Sequence, residues 1–213
     1  MKPASRAFLS TLWNAFLPQN VVLAQALGLC PILAIGFNLH YGVALSACVV
    51  VTLVLTDLLF ALLSKRIASR LQPVVYVLLS SILLLGAAAL LRVVISAEIY
   101  AHLYLFLPLM AVNTLYTYRS AIAPSAPRVS LAITLADSLG CALGFSLVLC
   151  VASALREMAI YGTLWNLPLG YEVRFPEAEH PFIGFILLGF MAAILQWCKN
   201  VSRCKDTQEV GTL

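Results

Sequence analysis

Six apolar stretches, at about residues 21–39, 42–64, 73–95, 99–117, 130–155 and 181–198, occupy most of this chain. At about 1.5 Å of rise per residue, each is long enough to cross a hydrocarbon core of about 30 Å as a helix. Within lipid every backbone N–H and C=O must be satisfied inside the protein, which leaves helices or closed barrels as the only spanning structures. Stretches of this length predict helices. The expected fold class is therefore an all-α membrane protein with six transmembrane helices. Composition excludes a soluble domain, with 62% hydrophobic residues, a mean hydropathy of +0.97 and only 10% charged residues.

An even number of spans puts both termini on one side. Of the 13 Lys and Arg residues, only Arg92, Arg156 and Arg174 fall on the opposite side. The positive-inside rule then predicts cytoplasmic termini. This asymmetry accounts for the net charge of +4, and nothing in it points to nucleic acid. Residues 1–20 lack the continuous apolar core of a cleaved signal. Phe8, Leu9, Leu12, Trp13, Phe16 and Leu17 recur at helical spacing instead, predicting a cytoplasmic interfacial helix over 1–20 ahead of the membrane domain, 21–198. Residues 199–213 form a short polar cytoplasmic tail.

The first span is interrupted by Leu27-Gly28-Leu29-Cys30-Pro31. Pro31 lacks an N–H and is expected to strand the Leu27 carbonyl, a break that lipid cannot repair and that a neighbouring group must satisfy. Cys30 beside it is a soft ligand near mid-membrane. The fourth span is interrupted in a similar way, from Pro108 through Asn113-Thr114. The chain thus divides near Ala97 into halves of three spans, about 21–96 and 97–198. An odd number of spans per half makes these inverted repeats with broken first helices, an architecture whose functional centre lies at the repeat interface.

Few polar residues fall inside the spans. Asp57 and Asp137 each lie roughly 10 Å in from the cytoplasmic end of a span, where an ionisable group suggests an ion or proton path. A hydrogen-bonded structural role, with Thr56 or Thr134 close by, is the alternative. Arg156-Glu157 is expected to end the fifth span as an ion pair at the outer surface, Arg119 to be a positive-inside charge, and Tyr116 and Tyr118 to sit in an aromatic belt. The six cysteines show no CxxC motif and no Cys/His cluster, and no P-loop, GxGxxG or nucleophile elbow occurs. The chain carries no complete catalytic site of its own.

The run Gln25-Ala26-Leu27-Gly28-Leu29-Cys30-Pro31-Ile32-Leu33-Ala34 resembles the opening helix of the RnfE/NqrD family. Leu107-Pro108-Leu109, Val112-Asn113, Arg119, Leu135 to Gly140, Leu143-Gly144-Phe145, Leu155-Arg156-Glu157 and Gly162-Thr163-Leu164 extend the likeness from about Asn14 to Cys198. Cysteine-proline after Leu-Gly-Leu is more like RnfE than NqrD. The resemblance implies an integral subunit of an Rnf-type complex in the bacterial inner membrane. It also implies a homologous partner of opposite topology, RnfA- or NqrE-like, and a shared [2Fe–2S] cluster that relays electrons across the membrane, coupled to Na+ or H+ translocation. Cys30 matches the first family cysteine. Thr114 stands where the family has the second, and a hydroxyl is a poor ligand for iron. Three arrangements stay open: an asymmetric cluster with Thr114 or water as a ligand, a substitute thiol such as Cys141, or a fold that has lost the cluster. Two functions of other classes stand beside the relay: a cluster-free transporter or channel for a small solute or ion, and a structural assembly subunit.

Overall fold

The computed structural model describes residues 3–16, 20–35, 38–68, 70–95, 100, 101, 103, 107, 110, 114–122, 131–165, 167–168, 175 and 180–210. The chain is almost entirely helical over these residues. In chain order the helices are α1 (Pro3–Phe16), α2 (Val21–Gln25), α3 (Leu29–Ile35), α4 (Leu39–Leu63), α5 (Gln72–Val94), α6 (Thr114–Ile122), α7 (Leu131–Tyr161) and α8 (Pro181–Val210). A short antiparallel hairpin, β1 (Thr163–Leu164) and β2 (Leu167–Pro168), follows α7.

Among the described residues, four helices are long and apolar enough to cross a membrane: α4, α5, α7 and α8. They match four of the six expected spans. The first expected span is two short helices, and the break lies a turn earlier than the proline predicts. Ala26 (φ 55°) and Gly28 (φ 77°) adopt left-handed backbone between α2 and α3. Glycine tolerates this conformation, whereas Ala26 is held there against its side chain. Pro31 falls in the first turn of α3. A missing N–H is harmless there, because first-turn N–H groups have no partner inside the helix. Pro31 therefore starts the second half-helix rather than breaking the first. The fourth expected span is described at Tyr100, Ala101, Leu103, Leu107 and Met110, all helical, and again from Thr114 onward. Residues 111–113, at its predicted interruption, lie outside the described residues.

At the centre, α4 and α7 run antiparallel in close contact. A Cβ on Gly42, at the start of α4, would come within 2.6 Å of Ser153 Oγ, late in α7. Ser46 meets Cys150 with Oγ and Sγ 3.9 Å apart, and Asp57 meets Ser138 further on. Each step forward on α4 is thus matched by a step back on α7, and small residues at the seam let the two backbones approach. Leu45, Val49 and Leu53 of α4 and Ala142, Phe145, Val148 and Leu149 of α7 are buried along this seam.

The other helices wrap the pair. α5 packs beside α4, where Tyr76 meets Phe60 edge-on with ring centroids 5.2 Å apart. Gln72 Nε2 ties the turn between them by donating to Ser64 O (3.3 Å) and Ile67 O (3.2 Å). α1 lies across α7: a Cβ on Gly140 would come within 2.6 Å of Leu12 O, and one on Gly144 within 2.9 Å of Phe16 O. Asn20, nearly fully buried, secures the junction. Its Nδ2 donates to Gly144 O (2.9 Å), while its Oδ1 accepts from the Val22 and Leu23 N–H groups and caps α2. α5 and α8 lie at the periphery. Leu78, Ile82 and Leu85 of α5 and Ile186, Phe190 and Trp197 of α8 are all exposed, as expected of surfaces facing lipid or another subunit.

Candidate functional site: two arginine anchors and a thiol at a helix break

The polar residues that the sequence scatters along the chain gather at opposite ends of the α4–α7 pair. At one end Arg119, on α6, bridges two carboxylates. Its Nη2 pairs with Asp57 Oδ2, and its Nη1 lies 2.6 Å from Asp137 Oδ2. Asp57 also accepts from the Tyr76 hydroxyl at Oδ1 (2.7 Å), and Ser138 Oγ lies 2.7 Å from its Oδ2. Four helices, α4, α5, α6 and α7, therefore meet at one carboxylate. The Asp57 side chain is 7% exposed and that of Asp137 45%, so the cluster runs from a sealed end to an open one. Two carboxylates and one guanidinium leave a net negative charge when ionised, which suits a site that takes up a proton or a monovalent cation at its open end.

Arg119 is thus an ion-paired anchor between helices, not simply a positive-inside charge. The neighbouring threonines play a smaller part than the sequence suggests. Thr56 Oγ1 donates back to Thr52 O (2.6 Å), and Thr134 offers its carbonyl to Ser138 Oγ (2.8 Å). The partners of Asp57 that the sequence missed are Tyr76 and Ser138. Tyr116 is 1% exposed and lies beside Thr52 in the core, so it is no aromatic-belt residue. The clue to Arg119 was a balance of charge: two aspartates inside spans need a cation at their own depth.

At the other end, Arg156 and Glu157 depart from the expected surface ion pair. They are 1% and 0% exposed, and each serves another helix. Arg156 Nη1 donates to Leu33 O (3.0 Å) and Ile32 O (3.5 Å). These carbonyls belong to the last turn of α3, which has no acceptor use within the helix and carries the negative end of its dipole. Glu157 Oε2 accepts from the Leu39 N–H (2.7 Å), at the positive end of α4, and its Oε1 from Thr163 Oγ1 (3.3 Å). Asn38 completes the cap on α4, its side chain accepting from the His40 N–H at 2.9 Å. The two charges look exposed in sequence because hydropathy alone does not reveal the helix ends they satisfy.

Cys30 is the second residue of α3, just past the break, and is exposed. Thr114 is the first residue of α6; its side chain lies outside the described residues. Cys30 thus stands at the start of a helix that resumes after an interruption, and Thr114 stands at the first residue of its helix. Cys141 is 2% exposed within the core cluster, in an environment unlike that of Cys30. Among the described residues no group of three or more His, Cys, Asp or Glu could hold a metal ion. Cys30 alone cannot hold a [2Fe–2S] cluster, which takes four ligands. An exposed thiol at a helix N-terminus suits one ligand of it, and a threonine hydroxyl does not suit a second.

The family described as "Rnf-Nqr subunit, membrane protein" matches residues 8–194. Among curated relatives, the E subunit of the ion-translocating oxidoreductase complex of Shewanella loihica is 30% identical over 197 residues, covering 85% of this chain and 84% of its own length. The protein of the same name from Edwardsiella ictaluri is 29% identical over 223 residues, covering 98% of this chain and 92% of its own. That of Thioalkalivibrio sulfidiphilus is 32% identical over 196 residues, covering 85% of each. With the break before Cys30, the Arg119 anchor and the buried Arg156-Glu157 pair all inside the matched region, the chain belongs to the Rnf-Nqr family of membrane subunits.

Proposed function

We propose that this chain is the E-like integral subunit of an Rnf-type ion-translocating oxidoreductase complex, passing electrons across the bacterial inner membrane with Na+ or H+ translocation. The observation that carries this reading is the exposed Cys30 at the first turn of a helix resumed after a break, in a chain whose relatives bear that complex's name. Electron donors, flavins and soluble clusters belong to other subunits.

The arrangement is six spans in two inverted repeats, 21–96 and 97–198, with both termini cytoplasmic. The antiparallel register of α4 against α7 supports it, since these are the middle spans of the two halves. Cys30 faces a homologous subunit of opposite topology, RnfA- or NqrE-like, and contributes one thiolate to a [2Fe–2S] cluster held between the two. When bound, such a cluster takes up and releases one electron at a time. This chain's own residues hold the thiol in place, exclude water from the centre and offer a charged cluster at Asp57, Asp137 and Arg119 for the ion path.

A second reading, a cluster-free ion carrier on the same fold, draws on Thr114 at the second ligand position together with the ionisable Asp57–Arg119–Asp137 cluster. Membrane vesicles bearing the assembled complex separate the two. In the relay reading, Cys30→Ser abolishes redox-driven ion uptake while all subunits remain assembled. Uptake that survives the substitution contradicts the relay and favours the carrier.

A further inference from the structure

We infer that Arg156 and Glu157 are positioning residues for Cys30. They are neighbours on α7, buried in the protein, and together they hold both ends of the connection from α3 to α4. Arg156 holds the α3 end through the Leu33 and Ile32 carbonyls, and Glu157 holds the α4 end through the Leu39 N–H.

α3 has seven residues, far too few to be stable alone, and its other end is the left-handed break at Ala26 and Gly28. Its position is therefore set by the packing of Ile32 and Leu33 in the core and by what grips its last turn. Cys30 lies one helical turn before Leu33, so a shift of Leu33 is transmitted directly to the thiol. The grip is tight on the side of α8 as well. A Cβ on Gly184 would come within 2.7 Å of Leu33 Cδ2 and 3.6 Å of Arg156 Nη1, so a glycine is what lets α8 close over the contact. The charges also match the helix ends they meet, with a guanidinium on a C-terminus and a carboxylate on an N-terminus. The central helix α7 thus dictates where the thiol-bearing half-helix stands.

The inference rests on the reading of Cys30 as the relay thiol, and its test separates the two. In the assembled complex, with Cys198 and Cys204 replaced by serine, maleimide labelling of Cys30 is followed by peptide mass spectrometry. Arg156→Gln raises the labelling rate about tenfold, the opening expected when hydrogen bonds from a charged donor are lost. Arg156→Lys keeps the charge at the α3 terminus and restores most of the protection. Gly184→Leu, whose side chain a rotation of Leu33 cannot make room for and which alters no charge, raises labelling by about threefold and carries the test if Arg156→Gln does not accumulate. Unchanged labelling in an assembled Gly184→Leu complex, or no difference between Arg156→Gln and Arg156→Lys, overturns the inference. Raised labelling supports the clamp whether or not Cys30→Ser changes the iron content, and the iron measurement alone decides the relay.

Discussion

Asp57 and Ser138 face each other across the central helix pair, with Ser138 Oγ 2.7 Å from Asp57 Oδ2 and 2.8 Å from the Thr134 carbonyl of its own helix. This contact fixes the register of α4 against α7 at one end, as Gly42 against Ser153 does at the other. It also brings that carboxylate within reach of α5 and α6, through Tyr76 and Arg119.

Removing Arg119 leaves Asp57 buried without its counter-charge. Arg119→Gln is expected to destabilise the protein by about 3–5 kcal/mol, as breaking a buried ion pair from one side does. Asp137→Asn, at the half-exposed end of the cluster, is expected to cost at most about 1 kcal/mol. Unfolding of the purified protein in mixed detergent micelles measures both, and equal losses would contradict the sealed-to-open gradient.

Tyr76→Phe removes one donor to Asp57 without changing the packing against Phe60. The expected loss is about 1.5–3 kcal/mol, the worth of a hydrogen bond to a charged group. Thr56→Val, whose hydroxyl serves only its own helix carbonyl, is expected to cost less than about 1 kcal/mol in the same unfolding assay.

Gly140 and Gly144 leave no room for a side chain beneath α1. Gly140→Ala is expected to destabilise by about 1–3 kcal/mol through overpacking against Leu12 and Ala15. Gly140→Leu is expected to dislodge α1 and open the segment before Asn20 to protease while α4 and α7 stay folded. Limited proteolysis followed by mass spectrometry reads this out.

Much of this was legible in the sequence because the bilayer imposes simple rules. Continuous apolar stretches marked out α4, α5, α7 and α8, and Leu-Gly-Leu-Cys-Pro marked the interrupted span and placed Cys30 beside the break. The partners of the polar residues were not legible. Asp57 and Asp137 stand out as costly charges, but Arg119, Tyr76 and Ser138 are 62, 19 and 81 residues from Asp57 in the chain. Only the tertiary register of α4 on α7 brings them together. Arg156 and Glu157 read as surface charges for a related reason: what they satisfy is the loose end of α3 and the start of α4, and backbone polarity leaves no trace in side-chain hydropathy. Pro31 misled in a smaller way, because the same residue that breaks a helix interior begins a helix comfortably.

The relay reading stands most directly on the cofactor itself. Electron paramagnetic resonance and iron analysis of the reduced, purified complex, wild type against Cys30→Ser, make the decisive comparison. The account predicts a [2Fe–2S] signal in the wild type that vanishes, with its iron, in a serine variant retaining all the partner chains. A wild-type complex without that signal, or a variant that keeps it, would contradict the account.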